Sequence, residues 1–388
     1  MPGGTARLAA ALLLAAAPCF AAGPDKALSG VLQAIEENRL GLATERVEAL
    51  LAAHPNFRLA HLIRGDLLMA RSRPLETFGN VPKTVPREKV EDLRAEALSR
   101  LRALRDRPNG DHLPRYVLQM HADQKHALVV DSRRSRLYLF ENAGGRPRYV
   151  ADYYVTLGKN GVEKTREGDQ KTPIGVYHVT ANLPRQKLTD FYGAGAYPIN
   201  YPNAWDKRLG RNGHGIWLHG TPSDTYSRPP RASDGCIVLA NTDLEAVGRT
   251  LQIGLTPVII ADEIEWADAA TIAAERAALA GAVEQWRADW QSRDTERYLA
   301  HYSSRFASRE GQDYNGWASH KRKVNSAKRW IKVGLSRVAM FRYPRERDFV
   351  VVTFDQDYRS DSLSNVMRKR QYWVKEGASW KIIYEGAG

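Results

Sequence analysis

The chain has 388 residues, a length that predicts two or three domains, each large enough to bury a core of its own. Lys and Arg outnumber Asp and Glu by 57 to 44, which gives a net charge of +13. Residues 283–388 hold 21 of the basic and 13 of the acidic side chains, and so carry +8 of that charge. This balance favours anionic partners such as nucleic acid, anionic lipid or a carboxylate-rich polymer; a solvated basic surface that aids solubility is the alternative.

The N-terminus has the features of a secretory signal peptide over residues 1–22. Arg7 is followed by the apolar run LAAALLLAAAP, too short to span a bilayer, and then by small residues, with cleavage expected near residues 21–22. Cleavage would remove Cys19; a lipid-modified Cys19 is the alternative, which the preceding Pro18 disfavours. No later segment has about 18 consecutive apolar residues. We therefore predict a soluble periplasmic protein with no transmembrane segment, and export argues against nucleic acid as a partner.

The stretch from Lys26 to Asp106 is rich in Ala, Leu, Glu and Arg. Its apolar residues recur at i, i+3 and i+4, a pattern that indicates amphipathic helices, and Pro55 in HPNF is expected to end one of them. We predict an α-helical N-terminal domain over residues 23–120. It resembles a single tetratricopeptide-type helical hairpin, and one copy makes no array.

From about His126 the apolar period changes to that of strands. ALVVDSRRSRLYLFE indicates two strands around a polar turn, and TPVIIAD indicates a last strand. We predict a mostly-β domain over residues 126–262. A regular strand over GHGIWLHG would place His214 and His219 on opposite faces, because side chains alternate along a strand.

The remaining sequence begins as helix and ends as strands. We predict a helical linker over residues 263–282 and an α+β domain over residues 283–388, where helices precede antiparallel strands ending in WKIIYEG. The basic run HKRKVNSAKR within it could bind polymer carboxylates, although a solvated charge run is the default interpretation. Four tryptophans are expected to be core side chains rather than a glycan-binding platform: Trp286, Trp290, Trp317 and Trp330.

Cys236 would be the only cysteine of the mature chain, and it is either a buried, inert thiol or a nucleophile. A nucleophilic thiol needs an imidazole to take its proton, and His219 lies seventeen residues upstream. A backbone carbonyl would suffice to fix the imidazole tautomer. The small residue before Cys236, Gly235, would let the chain turn sharply so that backbone N–H groups reach an oxyanion.

A zinc site built from His214, His219 and Cys236 is the competing hypothesis. A regular strand separates the two imidazoles, and no CxxC or HExxH spacing supports a metal site. We therefore expect no metal and no other cofactor.

Two motifs resemble the YkuD-type L,D-transpeptidases. IWLHG followed by ASDGCIVL matches that family's pattern of His-Gly and then Ser/Thr-X-Gly-Cys. The resemblance covers roughly His126 to Asp262, about a third of the chain. A second stretch, GKNGVEKTREGDQKTPIGVYHV, matches the segment that precedes the catalytic strand, with the family's residues at Gly168, Asp169, Thr172, Pro173 and Gly175.

The resemblance implies a role for each matching residue. Cys236 would be the acyl-accepting nucleophile and His219 its base. The Gly220 carbonyl would orient the imidazole, and the N–H groups of Gly235 and Cys236 would bind the oxyanion. Further residues around these motifs are expected to contact substrate: His214, Trp217, Arg231, Ser233 and Asp234.

The sequence departs from the commonest family pattern at two positions. Asp234 stands where many members have histidine, and Val238 where many have arginine. A carboxylate that points toward Cys236 would raise the thiol pKa. We therefore expect Asp234 either to face outward or to bind the amine of an acceptor.

The segments AYPINYPNAWD and RPPRA are similar to an exported branch of the family that includes cell-shape-determining L,D-carboxypeptidases. The C-terminal stretch from VEQWRADW to WKIIYEG resembles the nuclear-transport-factor-2-like fold, a cone of helices on a curved sheet, which follows the YkuD domain in that branch. Domains of this fold form pockets or dimer interfaces, so a homodimer is left open.

The resemblance implies an enzyme whose partners are peptidoglycan stem peptides. Cys236 would attack the carbonyl of the L-centred residue in a tetrapeptide stem, expel the terminal D-amino acid and form a thioester. Transfer of the acyl group to an amine, the L,D-transpeptidase reaction, is the expected outcome, and transfer to water, which would make the protein an L,D-carboxypeptidase, is the alternative. The alternative from another class is a non-catalytic cell-wall binding or scaffolding protein.

The mature protein should begin near residue 22 and contain one titratable thiol and no disulfide, because Cys19 is removed with the signal peptide. Intact-mass spectrometry and thiol titration of the protein purified from its native compartment test this. A retained and acylated Cys19 would contradict it and would place the protein on a membrane.

Overall fold

The structure, a computed structural model, describes residues 24–75, 77–82, 84–106, 112–346 and 348–388. The predicted signal peptide and Cys19 lie outside these residues. Across the described ranges, no helix combines the length and the apolar character that crossing a membrane requires.

The N-terminal domain is helical, as predicted. Its apolar side chains, among them Leu28, Phe57 and Ile63, pack into a core of their own. The chain breaks at Pro55, between the second and third helices, as the HPNF motif predicts. The helices are α1 (Pro24–Glu36), α2 (Leu40–Ala53), α3 (Arg58–Met69) and α4 (Arg87–Arg105).

Two short strands, β1 (His112–Pro114) and β2 (Val117–Gln119), lead into the middle domain, which is mostly β as predicted. Two 3₁₀ turns, Arg185–Lys187 and Asp190–Tyr192, lie among its strands. The strands are β3 (His126–Asp131), β4 (Arg136–Ala143), β5 (Arg146–Tyr154), β6 (Leu157–Gly158), β7 (Gly175–His178), β8 (Leu183–Pro184), β9 (Gly195–Pro198), β10 (Trp217–His219), β11 (Arg231–Ser233), β12 (Ile237–Val238) and β13 (Pro257–Ala261). The helices are α5 (Ala204–Arg208) and α6 (Asn241–Gly248).

These strands form a larger sheet in the order β5-β4-β3-β13-β7 and a smaller sheet in the order β12-β10-β9-β8, while β11 pairs with β6. The two sheets share one apolar core. Leu128 and Val130 of β3 contribute to it from the larger sheet, and Leu218 and Ile237 from the smaller one. The smaller sheet carries both predicted catalytic motifs, and this core fixes its position on the domain.

The C-terminal domain combines helices with a long sheet, as predicted, and this sheet is antiparallel except where β15 pairs parallel with β19. The sheet order is β15-β19-β18-β17-β16-β2. Trp286, Trp290 and Trp317 lie in its core as expected, whereas Trp330 is 44% exposed. The elements are β14 (Trp266–Asp268), α7 (Ala269–Ser292), α8 (Thr295–Leu299), β15 (Tyr302–Ser308), α9 (Tyr314–Ser326), β16 (Ile331–Arg342), β17 (Phe349–Ser360), β18 (Ser364–Glu376) and β19 (Ser379–Ala387).

The structure departs from the predicted domain boundaries in two places. The end of the predicted helical segment 23–120 forms β1 and β2, and β2 pairs with β16 at the edge of the C-terminal sheet. By pairing with β16, β2 satisfies backbone N–H and C=O groups that would otherwise be unpaired at the edge of the sheet. This explains why the segment forms a strand rather than a helix. The predicted linker 263–282 is not separate, because α7 continues unbroken through residue 282, with Asp268 capping its start by accepting the Thr271 N–H at 2.7 Å.

The middle and C-terminal domains share an aromatic contact. The Trp205 ring of α5 lies 4.5 Å from that of Phe349 and 5.3 Å from that of Tyr372, measured between centroids. Asn203 donates from Nδ2 to the Tyr343 hydroxyl at 2.6 Å. Aromatic packing of this kind, with a buried hydrogen bond beside it, holds the two domains in one orientation.

A buried group of charges joins the N-terminal helices to the middle domain. Asp25 of α1 pairs with both Arg100 of α4 and Arg136 of β4, and Arg136 also pairs with Asp152. Burial would raise the pKa of Asp25, but the two guanidinium groups lower it to about 2. Removing one member would leave an uncompensated charge in the interface, so this group ties the helical domain to the catalytic one.

The basic run near α9 does not form one exposed face. The amino group of Lys321 lies over the Trp317 ring, 4.3 Å from its centroid, and burial lowers the pKa of Lys321 to about 8. Arg322 is paired with Glu296. Within this run, Lys321 is thus drawn toward the interior of the domain and Arg322 is engaged in a surface ion pair.

Candidate active site

The two predicted catalytic motifs meet on neighbouring parallel strands. Leu218 pairs with Ile237 and His219 with Val238 across β10 and β12, and the Leu239 N–H donates to the His219 carbonyl at 2.9 Å. Cys236 immediately precedes β12. The register therefore sets Cys236 opposite Trp217, so Cys236 and His219 lie on the same face of the strand pair, two positions apart.

The turn before Cys236 requires glycine. Gly235 has a φ of +121°, a conformation that side-chain-bearing residues rarely adopt. A Cβ at this position would also lie 2.7 Å from the Lys171 carbonyl oxygen. Ser233 locks the turn, because its Oγ donates to the Cys236 carbonyl at 2.7 Å and accepts the Gly235 N–H at 3.2 Å.

The imidazole of His219 is buried and oriented by a backbone carbonyl. Its Nδ1 lies 2.7 Å from the Gly220 carbonyl oxygen, which can only accept, so Nδ1 carries the proton and Nε2 is left as the basic atom. Burial lowers the pKa of His219 to about 4; the Gly220 carbonyl raises it and the nearby Arg228 lowers it further. The ring is therefore neutral at ordinary pH.

The Cys236 thiol is held between backbone groups. Its Sγ donates to the Gly215 carbonyl at 3.3 Å, and the Trp217 N–H hydrogen-bonds the sulfur and lowers the thiol pKa. Burial nevertheless raises the pKa of Cys236 to about 11, with Asp234 adding to the rise and Arg228 opposing it. The free protein therefore holds both a neutral thiol at Cys236 and a neutral imidazole at His219.

Of the two backbone N–H groups expected to bind an oxyanion, one already donates a hydrogen bond and the other does not. The Gly235 N–H is engaged by Ser233 within the turn. The Cys236 N–H, by contrast, donates to no other group among the residues that the structure describes. The Cys236 N–H is thus free to meet a developing oxyanion.

The other predicted substrate residues lie in different environments. Trp217 lines the site, with its ring centroid 5.0 Å from that of Tyr192. His214 is not part of β10; its side chain is 81% exposed and lies 3.4 Å from Glu167. No group of three or more His, Cys, Asp or Glu side chains within the described residues could hold a metal ion.

Both charged residues of this set are already engaged. The carboxylate of Asp234 faces outward, with its Oδ1 3.0 Å from both Lys159 Nζ and Gln170 Nε2. The guanidinium of Arg231 donates to Ser132, to Oγ at 3.0 Å and to the carbonyl at 3.1 Å. Arg231 is thus bound to the turn after β3 rather than presented to a ligand.

Arg228, which the sequence analysis did not select, is the cation beside the thiol. It is half-buried, its guanidinium lies 4.7 Å from the Phe191 ring centroid, and it is close enough to lower the pKa of both Cys236 and His219. In the described part of the chain it forms no ion pair. The RPPRA motif was the available signal, but it contains Arg231 as well, and sequence alone does not say which guanidinium remains free.

Two aromatic residues also missed by the sequence analysis cover the imidazole. Phe191 and Tyr192 lie with their ring centroids 5.8 and 5.2 Å from that of His219. Asn241, at the start of α6, fixes the backbone behind them by accepting the Ala194 N–H at 2.8 Å and donating to the Thr221 carbonyl at 2.9 Å. These contacts explain why His219 is buried although it lies beside an open site.

The segment GDQKTPIG is organised around Asp169. Its carboxylate pairs with Lys164 at 2.8 Å and accepts the N–H groups of Thr165 and Lys171 at 2.9 and 3.1 Å. Burial raises the pKa of Asp169, but these donors lower it to about 2. Because Lys171 contributes the carbonyl against which Gly235 packs, this carboxylate helps to shape the floor of the nucleophile turn.

The N-terminal domain holds the loop that carries Arg228. Ser227 donates to Glu96 of α4 at 2.7 Å. Asn56 donates to the Ser223 carbonyl at 3.1 Å, and the Tyr226 ring lies 4.6 Å from that of Phe57. The helical domain therefore contributes to the geometry of the site without entering it.

Two protein-family models match the segments of the chain that form its middle and C-terminal domains. The YkuD profile, described as an L,D-transpeptidase catalytic domain, matches residues 125–260, and the Cds6 C-terminal NTF2-like domain matches residues 278–386. The structure of Bdellovibrio bacteriovorus Bd1075 is 31% identical, with a TM-score of 0.63, and the match covers 72% of this chain and 98% of Bd1075. The chain belongs to the YkuD L,D-transpeptidase family.

A second structural comparison matches the helical cell shape determining protein Pgp2 from Campylobacter jejuni. It is 25% identical, with a TM-score of 0.61, over 70% of this chain and 95% of Pgp2. Its K307A mutant is similar to the same degree, over 78% of this chain and the whole of the mutant. A comparison with curated proteins gave no match.

The kcat/KM of this YkuD-family site should depend little on pH between neutrality and about pH 6. His219 must be neutral to act as a base, and because burial lowers its pKa to about 4, kcat/KM should persist below pH 6 and fall only as the pH approaches 4. The thiol stays protonated up to about pH 11, so alkylation of Cys236 by iodoacetamide should rise continuously with pH through the neutral range.

The measurement is a pH profile of kcat/KM on a small tetrapeptide, with circular dichroism at each pH as the control for folding. An acid limb centred near 6.5, the ordinary histidine pKa, would contradict the assignment of a buried neutral base.

Proposed function

We propose that the protein is an exported peptidoglycan enzyme that removes the terminal D-amino acid from stem tetrapeptides, with Cys236 as nucleophile and water as final acceptor. The observation that carries the proposal is the strand pair that places Cys236 and the carbonyl-oriented His219 on one face, two positions apart. Resemblance to a cell shape determining protein supports a role in wall remodelling. Within the family, a scaffolding role would leave the oriented imidazole and the glycine turn unexplained.

The proposed reaction begins when Sγ of Cys236 attacks the carbonyl carbon of the L-centred residue and His219 Nε2 takes the thiol proton. The oxyanion that forms accepts the Cys236 N–H. As the intermediate collapses, the C–N bond breaks, His219 returns the proton to the departing amine, and a thioester remains. Water then attacks the thioester, again giving its proton to His219, and the thiolate leaves and is reprotonated.

Water is favoured over an amine as acceptor because the carboxylate of Asp234 is already hydrogen-bonded. This carboxylate was the group expected to bind an incoming amine, but it is already engaged by Lys159 and Gln170. Transfer to an amine of a second stem, the L,D-transpeptidase reaction, would use the same thioester and remains the alternative outcome. The two reactions are separated by their products.

Arg228 is proposed to bind the carboxylate of the departing D-amino acid. A half-buried guanidinium without a carboxylate partner is poised for bidentate binding of one, and the leaving residue of a stem carries its α-carboxylate next to the scissile bond. This contact would place the peptide carbonyl against Cys236. It would also select stems that end with a free carboxyl group.

Incubation of the mature protein with disaccharide tetrapeptide should yield disaccharide tripeptide and one free D-amino acid, as read by liquid chromatography and mass spectrometry. Cys236→Ala should form neither product while keeping the wild-type unfolding temperature, and His219→Ala should be slower by about 10²–10⁴-fold, the usual contribution of a general base. Cross-linked dimers in place of tripeptide would establish the transpeptidase outcome. No product at all from the folded wild-type protein would refute the catalytic proposal.

Arg228→Ala should lower kcat/KM on the free-acid tetrapeptide about 10- to 150-fold, because a hydrogen bond to a charged group contributes about 1.5–3 kcal/mol. The same substitution should change little with a tetrapeptide whose terminal carboxyl group is amidated. Arg228→Lys should recover part of the loss. Arg185→Ala, which removes an exposed arginine in the same domain, is the matched control; equal losses on both substrates would show that Arg228 does not bind the terminal carboxylate.

A further inference from the structure

A cleft lined by basic residues lies between the middle and C-terminal domains. It consists of a cavity of about 280 Å³ and an adjoining, more open one of about 750 Å³. Asn200, Asn203, Arg370 and Gly388 line both of them, so the two cavities are continuous. The cleft is separate from the Cys236 site, since neither cavity is lined by the catalytic pair.

The alternation of side chains along β18 gives the C-terminal sheet two different faces. Tyr372 packs against Trp205 of the middle domain, and Arg368 and Arg370 point to the same side and line the cleft. Lys369 and Gln371, between them, instead bind Glu385 inside the C-terminal domain. The two arginines therefore belong to the interdomain face and not to the interior of the domain.

The cleft carries an excess of unpaired positive charge. Among the residues that the structure describes, none of its basic side chains forms an ion pair, and no acidic side chain lines either cavity. The two acidic groups close to Arg368, Asp123 and Asp355, are both paired with Arg337. The basic side chains of the cleft are Lys207, Arg208, Arg309, Arg368 and Arg370.

The smaller cavity supplies neutral donors beside the charges. Burial, together with Arg370 and Arg368, lowers the pKa of His178 to about 4, so its imidazole is neutral at ordinary pH. Asn200 also lines this cavity, as does Gln124, although Nε2 of Gln124 already donates to the Leu255 carbonyl at 3.1 Å. Burial and the neighbouring arginines lower the pKa of Arg368, which means that its charge is poorly compensated by the protein itself. An anion placed here would gain charge-assisted hydrogen bonds and relieve this repulsion.

We propose that the interdomain cleft is a second, non-catalytic binding site for the carboxylates of peptidoglycan stem peptides. One carboxylate occupies the smaller cavity at Arg368 and Arg370, and further carboxylates of the same or a neighbouring stem lie along Lys207, Arg208 and Arg309 in the larger one. The charge of the cleft and its two connected volumes define the ligand as polyvalent and anionic; its identity as a stem rests on the proposed function. Such a site would hold the enzyme on the wall polymer while Cys236 acts on another stem.

The test measures binding of Cys236→Ala protein, which leaves the polymer intact, to purified sacculi stripped of phosphate-containing polymers. Arg368→Gln with Arg370→Gln should weaken sacculus binding at least tenfold. Arg359→Gln with Lys375→Gln removes the same charge from exposed positions on β17 and β18 and should leave binding within twofold of the parent. The milder pair Lys207→Gln with Arg309→Gln, at exposed positions of the larger cavity, should weaken binding without affecting the fold.

Binding by the parent should weaken as salt rises from 0.1 to 1 M, because the Debye length falls from about 10 to about 3 Å, and the cleft variants should lose most of this dependence. With Cys236 restored, the cleft variants should cleave a small tetrapeptide at the wild-type rate. Unchanged sacculus binding in folded cleft variants would overturn the proposal. Loss of binding to phosphate-bearing sacculi alone would also overturn it and would identify a phosphate polymer as the ligand.

The two proposals fail separately. Absence of tetrapeptide cleavage by the wild-type protein, with cleft-dependent sacculus binding intact, would refute the catalytic proposal and retain the binding site. Normal cleavage, together with sacculus binding that the cleft variants do not weaken, would retain the catalytic proposal and refute the binding site.

Discussion

The parallel pairing of β10 with β12 is the constraint on which the site depends. It aligns His219 with Val238, so Cys236, two residues before Val238, lies on the same face of the strand pair as His219. Both strands are very short, and neither could hold this register alone. The register is maintained because Leu218 and Ile237 insert into the core shared with the larger sheet, where a slip of one residue would expose them.

The polar groups around this pair come from three separate parts of the chain. Asn241 holds the backbone next to Gly220, Asp169 organises the segment that packs under Gly235, and Glu96 of the N-terminal domain holds the loop that carries Arg228. The N-terminal domain is itself attached through buried ion pairs. The proposed chemistry is concentrated in one short strand pair, but the geometry of that pair is maintained by the whole middle domain and by the helices before it.

The basic side chains of β18 lie on both faces of the C-terminal sheet rather than on one continuous surface. Along β18, one set of side chains points into the C-terminal domain, where Lys369 meets Glu385, and the other set points to the middle domain, where Arg368 and Arg370 meet no carboxylate. Trp205 and Phe349 fix the separation of the two domains by packing between them. The aromatic contact therefore creates the cleft as well as the interface.

The residues proposed to be catalytic could be selected from the sequence because their signals are local. The proposed nucleophile is marked by the glycine turn before Cys236 and the proposed base by the glycine after His219, and the periods of the apolar residues indicated the helical, mostly-β and α+β parts of the chain. Contacts between distant segments left no such signal: nothing in residues 112–119 shows that β2 completes the C-terminal sheet, and nothing in SRPPRA distinguishes Arg228 from Arg231. Ser132, about 100 positions away in the sequence, binds Arg231. Among the residues that the structure describes, no carboxylate pairs with Arg228. The types of side chain at the site were determined by sequence, whereas the partners that engage or release each charge were decided only by tertiary packing, because an ion pair or hydrogen bond depends on distance in space and not along the chain.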